Sequence, residues 1–144
     1  MISSKKLENF NKKFDVVSLF VIVGNKILLL KRHDDKPQPG LWGPPAGKVD
    51  EGESLKQGMI RETFEESGVS IKNDELKHFK KEYFVRHGDV DFIFHVFAVY
   101  RDDFMEVNIN GTEHIEYGWF DMQEALNMDL VEDEYIPLKD YFNL

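Results

Sequence analysis

The rhythm of apolar and polar positions divides this chain before any chemistry is considered. Val16–Val23 is apolar save for Ser18. A short apolar run bounded by a turn reads as a buried strand. Gly24-Asn25 supplies the turn and Ile27–Arg32 returns apolar, so the pair predicts a hairpin. A stretch dense in breakers follows: Pro37, Pro39, Gly40, Gly43, Pro44, Pro45 and Gly47. So rigid a loop belongs on the surface, where binding residues concentrate.

Helical spacing begins next. Ser54, with Gln57 at the third position after it, forms a capping-box signal. Leu55, Met59, Ile60, Thr63 and Phe64 fall on one stripe. Gly68 is a C-terminal stop, so the predicted helix runs from Ser54 to Ser67.

Beyond it, His78–Arg86 and Val90–Tyr100 predict two strands around Gly88-Asp89. In the second, Val90, Phe92, Phe94, Val96, Ala98 and Tyr100 share one face, while Ile93, Phe97 and Val99 keep the other partly apolar. A strand apolar on both faces is central and covered on both sides. Glu116–Phe120 predicts a short strand, and Asp121 with Glu124 opens a helix toward Asn127. A further helix is predicted through Val131–Tyr141, with Pro137 interrupting it. This order predicts an α/β fold of mixed α+β type, a mixed sheet sandwiched between helices. One domain is expected over residues 1–144, with 1–14 and 129–144 as less defined tails.

Composition narrows the partners. The formal net charge is −9 and the pI about 5.0, which argues against a nucleic-acid binder. A phosphorylated substrate stays compatible if a metal ion offsets the repulsion. There is no cysteine, which removes thiol catalysis, disulfides and sulfur-ligated zinc. Met1–Phe14 is polar and rich in lysine, so no signal peptide is expected. No run approaches the ~20 apolar residues of a membrane span. A cytoplasmic protein without membrane partners is therefore expected. Oligomeric state is left open, a homodimer included.

The strongest chemical signal lies between Gly47 and Val69. On the predicted helix Glu62, Glu65 and Glu66 stand at i, i+3 and i+4 and share one face. Like charges at this spacing destabilise a helix by roughly 0.2–0.5 kcal/mol per pair. Arg61 offers local relief through Glu65 at i+4. Glu53 closes the rigid loop at a place from which it can meet Arg61. Oxygen ligands held this close suit a hard divalent cation, Mg²⁺ or Mn²⁺.

The segment resembles the Nudix box, whose pattern Gly47, Glu53, Arg61, Glu62, Glu65, Glu66, Gly68 and Val69 all meet. Thr63 departs from it, standing where the family usually has an aliphatic residue, and Gly58 stands where many members have alanine. The resemblance continues through Gly40–Gly47 before the box and through Glu113–Phe120, which is similar to the family's late EHxxYxW segment. It implies a metal-dependent pyrophosphohydrolase, in which water attacks one phosphorus of a nucleoside diphosphate linked to another group. Glu62, Glu65 and Glu66, with Gly47, would hold the metal. Glu62 would also orient or deprotonate the water. Glu53 and Arg61 would form the ion pair that aims the helix, and Glu113 would supply a further ligand or the base. A small chain with a complete box resembles the MutT-like enzymes acting on (d)NTPs, oxidised ones included. Dinucleoside polyphosphates, NDP-sugars and ADP-ribose are alternatives, as is a nucleotide-sensing module without catalysis.

Other residues are weighed more evenly. Lys31, Arg32 and Lys48 are candidates for phosphate contact, with plain surface placement the commoner outcome. Trp42, Tyr83, Phe84 and Trp119 are candidates for stacking on a base, though such aromatics belong to cores more often, and Trp119 is expected there. His95 is expected as a packed core histidine. His114 is expected either to orient its loop or to hydrogen-bond beside the site.

Overall fold

The computed structural model describes residues 1–144. Its pivot is β2 (Lys12–Val23), buried at every position from Val17 onward. β2 runs parallel to β7 (Val90–Arg101), in register from Phe14↔Phe92 to Val23↔Arg101. It also pairs antiparallel with two partners at different heights. β3 (Lys26–Arg32) meets it at Ile22↔Ile27, across the predicted turn, and β5 (Ala46–Lys48) meets it at Val16↔Lys48. This fork is what delivers the chain from β5 to the helix that follows.

The other strands extend the sheet. β6 (Lys77–His87) pairs with β7 and with β1 (Ile2–Ser3). β4 (Trp42–Gly43) and β8 (His114–Asp121) both pair with β3. The order is β1-β6-β7-β2-β3-β4, with β5 attached to β2 and β8 to β3.

Strand alternation sorts the apolar residues into two cores. Val17, Leu19 and Val21 join Leu28, Leu30, Phe97 and Val99 beneath Met59 of α1 (Leu55–Ser67). Phe20 and Ile22 join Ile27, Leu29, Val96 and Ala98 beneath Ala125 of α2 (Met122–Leu126) and Leu138 of α3 (Tyr135–Phe142). The sheet is thus mixed and covered by helices on both faces, as the sequence predicts.

Helix boundaries follow the local chemistry. The Ser54 hydroxyl accepts the Gln57 N–H at 3.1 Å, and the Gln57 side chain accepts the Ser54 N–H at 2.8 Å. Gly68 ends α1 at φ 72°, its N–H donating to the Phe64 carbonyl at 2.8 Å. Asp121 and Glu124 form the same reciprocal pair ahead of α2.

Three expectations change. Phe64 is 57% exposed, whereas Met59 and Thr63 are fully buried. The buried stripe runs through Met59, Thr63 and Glu66, and Phe64 lies about 100° further round the helix. Pro137 does not interrupt a helix, because α3 begins only at Tyr135 and Pro137 falls in its first turn, where an N–H has no intrahelical partner. β8 also extends past Glu116–Phe120 in both directions, held by its register on β3. The end segments are ordered into the fold: Ile2 pairs with Val85, and Leu138 is buried in the second core.

Candidate active site

Arg61 organises the segment between β5 and α1. Its Nε donates to Glu53 Oε2 at 2.8 Å and its Nη2 to Glu53 Oε1 at 3.0 Å. Nη2 also donates to the Lys48 carbonyl at 3.0 Å, and Nη1 to Glu62 Oε1 at 2.9 Å. Glu65 Oε2 lies 3.3 Å from Nη1, and Asp50 Oδ2 lies 3.3 Å from Nε. One planar cation therefore clamps loop and helix together. The hydrogen bond from Arg61 holds the Glu53 carboxyl below the usual carboxylate range. Glu53 also accepts the Asp50 N–H at 2.9 Å, so its oxygens serve the loop.

Gly47 is required by close packing. A Cβ there would collide with the Glu62 carboxyl. Its backbone and Glu62 consequently share one small space beneath the helix. Gly58 is tighter than an ordinary helical position too, since an added Cβ would sit 3.0 Å from Glu53 Oε1.

The other carboxylates converge on the same region. Glu66 is 5% exposed and its Oε1 accepts the Ala46 N–H at 2.9 Å. Glu113 enters from the loop before β8, its carbonyl accepting the His33 N–H at 2.8 Å. Ligand atoms of Glu66, Glu113 and His114 all lie within 4.8 Å of one another. Burial raises the Glu62 carboxyl above its ordinary value, Arg61 opposes this, and Glu65 and Glu113 add to it. Burial pushes Glu66 well above the usual range, with Glu62 and Glu113 contributing repulsion and the Ala46 N–H opposing. His114 is 4% exposed, its Nδ1 has no partner, and its Nε2 stands 3.8 Å from Glu66 Oε2. Burial first, then Arg32, lowers it to about 4, so the ring is neutral at pH 7. Glu66 and Glu113 brought together, with Glu62 repelled by both neighbours and little cationic relief beyond Arg61, fit a hard divalent ion.

Beside this cluster opens a cavity of about 150 Å³. Glu66, His114 and Arg32 border it. Phe92, Phe94, Val85 and Pro137 give it apolar walls, and Glu134 borders it as well. The wall that carries Glu134 is tied to β4: the Trp42 N–H donates to the Asp129 carbonyl, and the Val131 N–H to the Trp42 carbonyl, both at 2.8 Å.

The family model described as NUDIX domain matches residues 12–141. The chain belongs to the Nudix family. It is 32% identical over 132 residues to the CTP pyrophosphohydrolase of Escherichia coli (strain K12), covering 91% of this chain and 92% of that one. It is 31% identical over 107 residues to the uncharacterized Nudix hydrolase YvcI of Bacillus subtilis (strain 168), covering 74% of this chain. The chain spans 65% of the length of that Bacillus relative and 42% of Nudix hydrolase 2 of Arabidopsis thaliana. Among solved structures, the MutT protein from Methanosarcina mazei Go1 matches with a TM-score of 0.77 at 26% identity, covering 96% of both chains. The Escherichia coli ORF135 protein gives a TM-score of 0.74 at 27% identity, covering 96% of this chain and 94% of that one.

Within this Nudix chain the candidate residues separate by role. Glu53 and Arg61 hold each other, the Glu62 carboxyl lies against Gly47, and Glu66 and Glu113 converge with His114; Glu65 is the most exposed of the helix carboxylates. The aromatic candidates lie elsewhere. Trp42 packs edge-on against Phe120, Phe84 against Phe10 and Trp119 against Phe104. Tyr83 is buried and donates to Asp140 at 2.8 Å. Lys48 Nζ sits 4.1 Å from the centre of the Phe14 ring and Lys31 Nζ 6.0 Å from that of Trp42, so both lysines lie over aromatic rings. Arg32 does border the cavity, its Nε donating to the Pro37 carbonyl at 2.6 Å. His95 is buried, yet its Nε2 lies 2.9 Å from Asp15 Oδ1, a polar contact behind its core placement. Glu134 escaped the sequence analysis altogether, because nothing local marks one acid in an acidic tail.

No helix is long and apolar enough to cross a membrane.

Proposed function

We propose that this Nudix chain hydrolyses nucleoside triphosphates, oxidised ones included, at a phosphoanhydride bond, with Mg²⁺ or Mn²⁺ as its ion. The observation that carries the proposal is the convergence of Glu66, Glu113 and His114 within 4.8 Å of one another, with Glu62 packed against Gly47 and repelled by Glu113, beside a cavity that Glu66 itself borders. Likeness to a CTP pyrophosphohydrolase over nearly the full length of both chains supports the triphosphate class. A cytoplasmic location belongs to the same proposal.

Glu62, Glu65, Glu66 and Glu113 would hold the ion. When bound, it neutralises charge on the phosphate oxygens and acidifies the attacking water. Glu62 orients that water and takes its proton as the oxygen bonds to phosphorus and the bridging oxygen departs with its electrons. A carboxyl raised by burial is a better base for this than an exposed one. Arg61 fixes the Glu62 carboxyl through Nη1, and Glu53 fixes Arg61. The products are a nucleoside monophosphate and pyrophosphate.

The test is product analysis with CTP, dCTP, ATP, an 8-oxo purine triphosphate, ADP-ribose and diadenosine tetraphosphate, each with Mg²⁺, Mn²⁺ or chelator. Metal-dependent release of pyrophosphate from a triphosphate is expected. Preferred cleavage of ADP-ribose or the dinucleotide would move the substrate class. No cleavage of any compound with either metal would overturn the hydrolase reading.

A further inference from the structure

One member of the carboxylate cluster takes no part in the hydrolytic step. His114 opens β8 and is 4% exposed. Its backbone is fixed twice: the N–H donates to the Asn110 carbonyl at 2.9 Å, and the residue pairs with Arg32 of β3. The ring itself makes no hydrogen bond. Nδ1 is buried without a partner. Nε2 stands 3.8 Å from Glu66 Oε2, beyond the reach of a hydrogen bond. A buried polar ring left in this way is costly unless something else satisfies it.

The surroundings point to what that is. Ligand atoms of Glu66, Glu113 and His114 lie within 4.8 Å of one another. Glu66 commits Oε1 to the Ala46 N–H and keeps Oε2, the atom facing His114 Nε2. Two atoms that each sit about 2.1 Å from one ion are at most about 4.2 Å apart, and 3.8 Å falls inside that span. The gap is too wide for a hydrogen bond and fits a cation held between two ligands.

We propose that His114 is a nitrogen ligand, through Nε2, of the ion held by Glu66 and Glu113, and that this makes the site favour Mn²⁺ and Co²⁺ over Mg²⁺. This rests on the metal-dependent reading above. Mg²⁺ takes oxygen ligands by preference, whereas imidazole nitrogen binds the later first-row ions progressively better. Nδ1 then carries the ring proton. No carbonyl or carboxylate accepts that proton, so the imidazole gains no basicity from behind, and the preference is moderate rather than exclusive. His114 thus selects the ion, while the glutamates supply the charge that any divalent ion needs.

Electron spin-echo spectroscopy of Mn²⁺-loaded protein reads the ligand without turnover. Modulation from a directly bound imidazole nitrogen is expected, and it should change when the protein is produced with ¹⁵N-histidine. His114→Gln should abolish it. His87→Gln, in the separate cluster with Glu132 and Asp133, should keep it. His33→Gln, whose backbone N–H meets the Glu113 carbonyl, should keep it as well. In calorimetric titrations His114→Gln should weaken Co²⁺ relative to Mg²⁺ by about tenfold or more, with Mg²⁺ affinity within about threefold of the unmutated protein. Melting curves in chelator establish that each variant is folded. The spin-echo measurement on unmutated protein depends on no variant, so absence of histidine modulation overturns the proposal by itself, as does failure to bind Mn²⁺. Modulation that survives His114→Gln, modulation lost in His87→Gln or His33→Gln, or an unchanged ratio of Co²⁺ to Mg²⁺ affinity would each overturn it too. Hydrolysis is scored separately. Pyrophosphate release with an ion that has no histidine ligand sinks this proposal and leaves the hydrolase reading standing, and histidine ligation without hydrolysis does the reverse.

Discussion

Arg61 grips Glu53 through two nitrogens, at 2.8 and 3.0 Å, from eight residues away in the chain. The same guanidinium reaches Glu62, Glu65 and the Lys48 carbonyl. Loop, helix and one carboxylate of the cluster are therefore set by a single group. A lysine cannot reproduce that fork. Arg61→Lys is expected to lower kcat by ~10-fold or more while changing Mg²⁺ affinity little. Glu53→Gln should behave alike, and the double variant should cost less than the sum of the singles. Strictly additive log rates would show that the two side chains act separately and would assign Glu53 another role.

Glu62 stands where Gly47 leaves no room for a side chain, and it is half-buried. Glu62→Gln keeps the shape and the Arg61 contact through its amide oxygen. Activity is expected to fall by ~10²–10⁴ with the melting temperature unchanged or raised, because one repulsion disappears. Near-normal turnover would remove Glu62 from the role of base.

The cluster of Glu62, Glu66 and Glu113 makes the free protein carry its own repulsion. Saturating Mg²⁺ or Mn²⁺ should stabilise chelator-treated protein by mass action, by about 2.7 kcal/mol at a hundredfold excess over Kd. Differential scanning fluorimetry across a metal titration reads this directly. A flat response would mean that these carboxylates form no ion site in the free protein.

Thr63 is fully buried, but its hydroxyl donates to the Met59 carbonyl at 2.7 Å within the same helix. Its departure from the usual aliphatic residue is thus satisfied locally. The Met59 carbonyl keeps its helical N–H partner if the hydroxyl is lost. Thr63→Val should therefore shift unfolding free energy by less than about 1 kcal/mol in urea titrations. A loss of several kcal/mol would reveal a polar dependence beyond this bond.

Glu134 gives stability a pH slope. Its folded value of about 8 lies above the ordinary glutamate value of 4.5. Below pH 4.5 both folded and unfolded states are protonated, and above pH 8 both are ionised. Between them only the folded state holds the proton, so this group's contribution to stability falls as pH rises. The melting temperature of Glu134→Gln minus that of wild type should therefore widen from pH 5 to pH 8 and level off beyond. A difference that stays constant over this range would show that Glu134 titrates normally.

What the sequence discloses is what lies within one or two turns of chain. The three helix glutamates, the Ser54 and Asp121 caps and the alternation in β7 are periodic, and periodicity survives folding. The Arg61–Glu53 bond was readable because loop and helix are adjacent in sequence. Phe64 was misplaced because a stripe read from spacing has an uncertain edge, and the sheet chose Met59 and Thr63 instead. Pro137 misled because its effect depends on where the helix begins, which the Val131–Tyr141 pattern does not mark. Glu134 and the phenylalanines of β7 meet only through the sheet order, across some forty residues of sequence, which no local rule reports.

The wall between Asp129 and Pro137 hangs on β4 by the two backbone bonds of Trp42. Backbone bonds tolerate any side chain that keeps the path of the chain, and none of the box residues lies in this stretch. Its side chains can therefore change, within the volume that buried positions such as Glu134 and Pro137 allow, while α1 and its clamp stay constant. Descendants of one ancestor can exchange the occupant of the cavity by altering a handful of codons for this stretch. A library confined to residues 131–137 would sample that diversity without touching the box.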